Sequence, residues 1–178
     1  MKAFRFALGI SIILALGGVE AARAADVAKI GVIDLQRVLD VSSPGKAIQA
    51  ELKKKRDTLE SDLKKKGEEI EKLRERLERE AMVMSKDVRE EKEREGRIKL
   101  NDFKELQKRY RADLQQLEKK LMNQLRDDIT ELVDAMGKKE GYLLIINTMG
   151  VMYAPNSIDI TDKLIQQLNA KHAKKGKG

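Results

Sequence analysis

The sequence predicts a mainly α fold with a small β body, in which a long antiparallel helical hairpin of coiled-coil character stands as an arm on a β-rich platform. Three observations predict it. No proline falls in the 110 residues from Gly45 to Ala154, so nothing there removes a helical donor or clashes with the preceding turn. Most of that stretch is charged, with apolar residues mostly at intervals of 3, 4 or 7, the spacing that draws a single stripe down a helix. Short apolar segments of strand character close it at both ends.

Ahead of the platform lies a leader. Lys2 and Arg5 form a positive start, Phe6 to Val19 is an apolar run of 14 residues, and Ala22-Arg23-Ala24 places small residues where a signal peptidase reads. A spanning helix needs about 20 apolar residues, and Gly17-Gly18 followed by Glu20 ends this one early, so export with cleavage after Ala24 is expected. The chain has no cysteine, which excludes a lipidated N-terminus and any disulfide and leaves helix packing and association to hold the fold.

Lys29 to Ile33 reads as the first strand, and Asp34 opens a short helix carrying Leu35, Val38 and Leu39. Ser43 before Pro44 is a helix start, because serine accepts from an orphan amide and proline gives up a donor that is unpaired anyway. Leu52, Leu59, Leu63, Ile70, Leu73, Leu77 and Met84 mark the outgoing stripe, with gaps at Arg56, Lys66 and Glu80. Gly67 inside this helix weakens it by about 1 kcal/mol relative to alanine and is a candidate flexion point. The pattern changes at Ala81 to Met84, and Ser85 caps the return helix, which places the hairpin turn near residues 82–86.

The return stripe runs through Phe103, Leu106, Tyr110, Leu114, Leu117, Leu121, Leu125, Ile129, Leu132 and Met136. Its spacing of 4, 4, 4 from Leu117 to Ile129 exceeds a strict heptad, so supercoiling relaxes or reverses toward the base. Gly137 and Gly141 end this helix. Tyr142 to Ile146 reads as a buried strand, Asn147 to Gly150 as a turn and Val151 to Ala154 as the partner strand. Asp159 then caps a last helix whose Ile160, Leu164, Ile165 and Leu168 face the body. The expected divisions are therefore a leader at 1–24, a body or oligomerisation domain at 25–43 plus 139–172, the arm at 44–138 and a basic tail at 173–178. A body of about 50 residues is marginal for burying a core by itself, so association is expected.

Composition excludes several classes of function. Aromatic residues are 3% and charged residues 38% of the chain, too little bulky material for a conventional globule. Between Glu51 and Asp113, 21 basic and 18 acidic residues are interleaved, the mark of a solvated helical surface. The formal charge of +7 falls to +5 without the leader, whose three bases face one acid; with so few aromatics and an exported chain, nucleic acid is not an expected partner. His172 is the only histidine and lies in the tail, so no catalytic dyad and no histidine-based metal site can form within one chain. No glycine-rich phosphate loop is present. Neither enzymatic activity nor a cofactor is expected.

Taken in order, Lys29-Ile30-Gly31-Val32-Ile33-Asp34-Leu35-Gln36-Arg37-Val38-Leu39, Pro44-Gly45-Lys46, the charged hairpin, Val151-Met152-Tyr153-Ala154-Pro155 and Asp159-Ile160-Thr161-Asp162-Lys163-Leu164 resemble the Skp (OmpH) family of periplasmic chaperones. The resemblance implies a jellyfish-like homotrimer with a β-rich body and three helical arms around a cavity, holding unfolded outer-membrane proteins without ATP. The small body with its apolar strands makes Ile30, Val32, Leu144, Ile145, Ile146, Val151 and Tyr153 the expected oligomerisation body. Along the arms the sequence departs from well-studied members, so their lipopolysaccharide site is not carried over, and anionic lipid or lipopolysaccharide stands as an open partner.

Met82, Val83 and Met84 have two readings of equal weight, a soft client-contacting tip or simple packing of the turn. Tyr110 and Phe103 read as seam residues, and the tail lysines chiefly as solubilising charge. A structural coiled-coil spacer without chaperone activity is the rival reading, since it explains the hairpin equally well.

Overall fold

The computed structural model describes residues 28–175, and the expected leader lies outside them, as does the end of the basic tail. Strand β1 (Ile30–Ile33) leads into α1 (Leu35–Val41), then α2 (Ser43–Glu80) runs out along the arm and α3 (Lys86–Glu140) returns. Strand β2 (Leu144–Asn147), two short 3-10 turns at Thr148–Gly150 and Asn156–Ile158, and α4 (Thr161–Lys175) complete the described chain. At 1.5 Å per residue, α2 is about 57 Å long and α3 about 82 Å.

Local chemistry sets the joints. Asp34 caps α1 by accepting from the Arg37 amide at 2.9 Å. The cap of α2 is Ser42 and not the expected Ser43: its buried Oγ accepts from the Gly45 amide at 3.1 Å, and Ser43 is already helical with Pro44 second. The reason is that α1 and α2 are joined by one extended residue, so Ser42 ends one helix with its amide and starts the next with its hydroxyl. Gly45 is required there, since a Cβ would come 2.1 Å from the Leu39 carbonyl oxygen. Ser85 caps α3 as expected, accepting from Val88. Gly137 is inside α3; Gly141, left-handed at φ 70°, is the residue that ends it.

The expected hairpin of Tyr142–Ile146 with Val151–Ala154 does not form. β2 pairs instead with β1, parallel, in the register Ile30↔Leu144 to Ile33↔Asn147. The physical cause is the turn after β2: Asn147 accepts from the Met149 amide at 3.3 Å and the chain coils through Thr148–Gly150, which carries it away from β2. Val151–Ala154 is irregular, and the chain regains the sheet only where Ile160 donates to the Val32 carbonyl at 2.9 Å, on the other side of β1. Tyr142 and Leu143 precede the strand, and Leu143 is exposed.

The core sits at the arm's root. Ile160, Leu164, Ile165 and Leu168 of the last helical segment pack against Val38 of α1, Ile48 of α2, Leu125, Ile129 and Met136 of α3, and Ile33 of β1. Every residue of the two predicted stripes is buried or half-buried, and Arg56, Lys66 and Glu80 are exposed gaps. Beyond this root, toward the tip, only Leu59 and Leu106 are buried, and Tyr110 donates across the seam to Asp62.

Two glycines of α2 separate the body's demands from the arm's. Gly45→Ala has no room beside a backbone carbonyl and is expected to cost about 1–3 kcal/mol as overpacking. Gly67→Ala, whose Cβ would meet only the Phe103 ring at 4.0 Å, is expected to stabilise the arm by about 1 kcal/mol. Urea unfolding of both variants checks the opposite signs.

Candidate functional site

Two apolar surfaces lie at opposite ends of a charged rod. At the far end Ala81–Met84 forms the turn, tightened by the amides of Val83 and Met84, which both donate to the Glu80 carbonyl at 3.0 Å. This geometry folds Met84 back against the hairpin, half-buried, and leaves Met82 98% and Val83 85% exposed. The three predicted tip residues are thus brought together, with two free and one packed.

At the near end, Ile30, Leu144 and Tyr153 are exposed, whereas Ile145, Ile146 and Val151 are half-buried. Val32 is 2% exposed, so its side chain is already used inside the chain. Three residues that the sequence reading missed, Leu143, Met149 and Met152, are among the most exposed apolar side chains of the body. β1 is flanked by β2 on one side and by Asp159 on the other, so β2 keeps its outer edge unpaired among the described residues. An unpaired edge beside exposed apolar residues is a template for another strand or chain.

Ion pairs hold this platform together. Glu140, the last residue of α3, accepts from Lys163 of α4 at 2.5 Å and, through its backbone carbonyl, from Lys29 at 3.0 Å. Lys29 also lies 4.0 Å from the centre of the Tyr142 ring. The Lys163 hydrogen bond holds the Glu140 carboxyl below its ordinary value, and Lys163 is raised in turn. Burial pushes Asp159 up, but its Thr161 hydrogen bonds and Arg37 bring it below the usual carboxylate value. Arg37 also binds Asp162, tying α1 to α4, and Lys171 bridges Asp128 at 2.8 Å and Glu131 at 2.6 Å, tying α4 to α3. His172 is exposed. Among the described residues no cluster of three or more His, Cys, Asp or Glu is placed to hold a metal ion, and no helix is long and apolar enough to cross a membrane.

The outer membrane protein (OmpH-like) family model matches residues 29–168, from the first strand to the last core leucine. The chain belongs to this family. Its OmpH-like fold is shared with a crystal structure from Caulobacter crescentus CB15 provisionally described as an outer membrane chaperone (OmpH-like), with a TM-score of 0.77 at 17% identity over 82% of this chain and 86% of that one. No curated protein matches the sequence. The matched span contains both strands and the whole helical hairpin.

The pH dependence of the platform follows from its carboxylates. Glu140 and Asp159 are depressed, so their contribution to stability is full above the ordinary carboxylate value and is lost as pH falls through the lower folded value. Between pH about 6 and about 3 the denaturation midpoint should fall, and Glu140→Gln should shrink that fall without abolishing it, because Asp159 remains. Urea titrations across this range check it.

Proposed function

We propose that the chain is an ATP-independent holdase of the periplasm, a homotrimer that keeps unfolded outer-membrane proteins soluble in a cavity between its arms. The observation that carries this reading is the uncovered apolar surface of the body: Leu143, Leu144, Met149, Met152 and Tyr153 are exposed, and β2 keeps its outer edge unpaired among the described residues. Among the described residues of one chain nothing buries them, and exposed apolar residues gathered at one end of a molecule mark association sites. Copies joined there project their arms in common, and the space between the arms is walled by charged helices with an apolar tip. The family membership and the chaperone description of the Caulobacter neighbour support the same reading. A coiled-coil spacer explains the arm but leaves the platform face without a role.

Holding needs no chemistry. Charge on the arms gathers the client, many weak apolar contacts keep it from its own kind, and the methionine and valine of the tip adapt to varied partners. Anionic lipid or lipopolysaccharide as a further ligand has no particular residues in support.

Light scattering should report about three times the mass of the mature chain. Met152→Asp, at a side chain wholly exposed in the single chain, should abolish assembly while leaving helicity intact, because the added carboxylate is desolvated only in the interface. A monomer at micromolar concentration, or a Met152→Asp trimer, would remove the platform from the argument.

The mature chain should suppress aggregation of a denatured outer-membrane β-barrel protein on dilution. Capture followed by stopped-flow fluorescence should slow as salt rises, since exposed charges are screened over about 10 Å at 0.1 M, with a smaller effect on release. Replacing Met82, Val83 and Met84 together with serine should weaken holding in an intact trimer. Aggregation suppressed as well as before would assign client contact to the arm walls and leave the tip a turn.

A further inference from the structure

Charge is sorted along the arm. Between Gly67 and Gly96, residues 68–95 carry 11 carboxylates and 8 basic side chains, net −3. The adjoining stretches, 51–67 and 96–113, carry 13 basic side chains and 7 carboxylates, net +6. Each arm therefore has an acidic outer part and a basic middle, and the sign changes at the two glycines.

One flank of the arm turns this sorting into a self-complementary surface. On α2, Glu60, Lys64, Gly67, Glu71, Glu75 and Glu78 follow one another at intervals of 3 or 4, a single line that is acidic toward the tip, with Glu78 also paired to Arg74 at 3.1 Å, and that ends at exposed Met82. On α3, Leu100, Gln107, Arg111 and Leu114 recur at intervals of 7, 4 and 3, again a single line. The two lines flank the same groove, a cavity of about 200 Å³ whose apolar floor of Leu59, Leu63, Tyr110 and Leu114 is rimmed by Arg56, Arg111, Gln107 and one acid, Glu60. Leu100 is 43% exposed on α3. Lys64, Lys104 and Arg111 make no ion pair among the described residues.

The spacings match. Measured from Leu100 at 1.5 Å per residue, the tip lies about 20 Å in one direction and the middle of the groove about 16 Å in the other. We propose that this flank pairs two copies of the chain arm to arm, antiparallel, with each Met82 entering the other's groove. A two-fold axis near Leu100 makes the contact isologous. The two leucines meet at the axis, and the Glu71-Glu75-Glu78 line of each arm lies along the Lys64, Lys104 and Arg111 belt of the other. The occupant is a second copy because both halves of the charge pattern, and the spacing between anchor and groove, are present in this one chain. The contact uses the arm alone and doubles whatever assembly the body makes, so it stands or falls separately from the trimer.

Sedimentation velocity of the mature chain tests it without any variant. At about 20 mM salt the mass should be twice that found at about 500 mM, because the pairing is electrostatic and exposed. The triple variant Glu71→Lys, Glu75→Lys, Glu78→Lys should keep the high-salt mass at low salt, as should Lys64→Glu, Lys104→Glu, Arg111→Glu. Mixing the two reversed proteins should restore the doubling, and Leu100→Glu should remove it, with unchanged far-UV circular dichroism throughout. A mass indifferent to salt, a doubling that survives either reversal, or a mixture that fails to pair would overturn the proposal.

Discussion

The parallel pairing of β1 with β2 is the constraint on which the rest of the molecule depends. Parallel neighbours cannot be joined by a tight turn; they need a crossover that returns the chain to the end where it started. Here the crossover is α1, α2 and α3, and the arm is that connection drawn out into solvent. The out-and-back path must close on the register Ile30↔Leu144, which is why α3, at 55 residues, is longer than α2, at 38. The extra length of α3 carries the chain down past α1 and α4 to the sheet. Gly141 then reverses the backbone where the helix has delivered it.

The body is consolidated by a different logic from the arm. Leu164 and Leu168 are fully enclosed by three other helices, and four ion-paired bases, Lys29, Arg37, Lys163 and Lys171, lock the periphery to α3 and α4. Along the arm each residue has one partner helix and solvent on every other side, so few side chains there are fully removed from water. The Tyr110 to Asp62 hydrogen bond supplies in the arm what packing cannot: a polar contact that only one alignment of the two helices satisfies.

Much of this was legible in the sequence because helices announce themselves locally. The stripes, the turn at Ala81–Met84, the Ser85 cap and the buried face of α4 each depend on spacing within one segment, and the structure places them as the spacing requires. Strand partnership is not a local property. An apolar run such as Tyr142–Ile146 states that it wants a neighbour but not which one, and the nearest apolar segment, Val151–Ala154, was the wrong choice because the Thr148–Gly150 coil sends it away. The same limit hid part of the platform surface. Met149 and Met152 look like turn and strand residues in the sequence, and only the three-dimensional course of the chain shows that none of the described residues covers them.

An arm that is an elongated crossover has a consequence for descent. Equal insertions in α2 and α3, made in step at the same level, lengthen the rod and leave the sheet register, the root packing and the ion pairs untouched. The dimension most exposed to the outside world is thereby the one least coupled to folding of the base. A lineage carrying this architecture can change the reach of its arm as a ruler is extended, one pair of helical turns at a time.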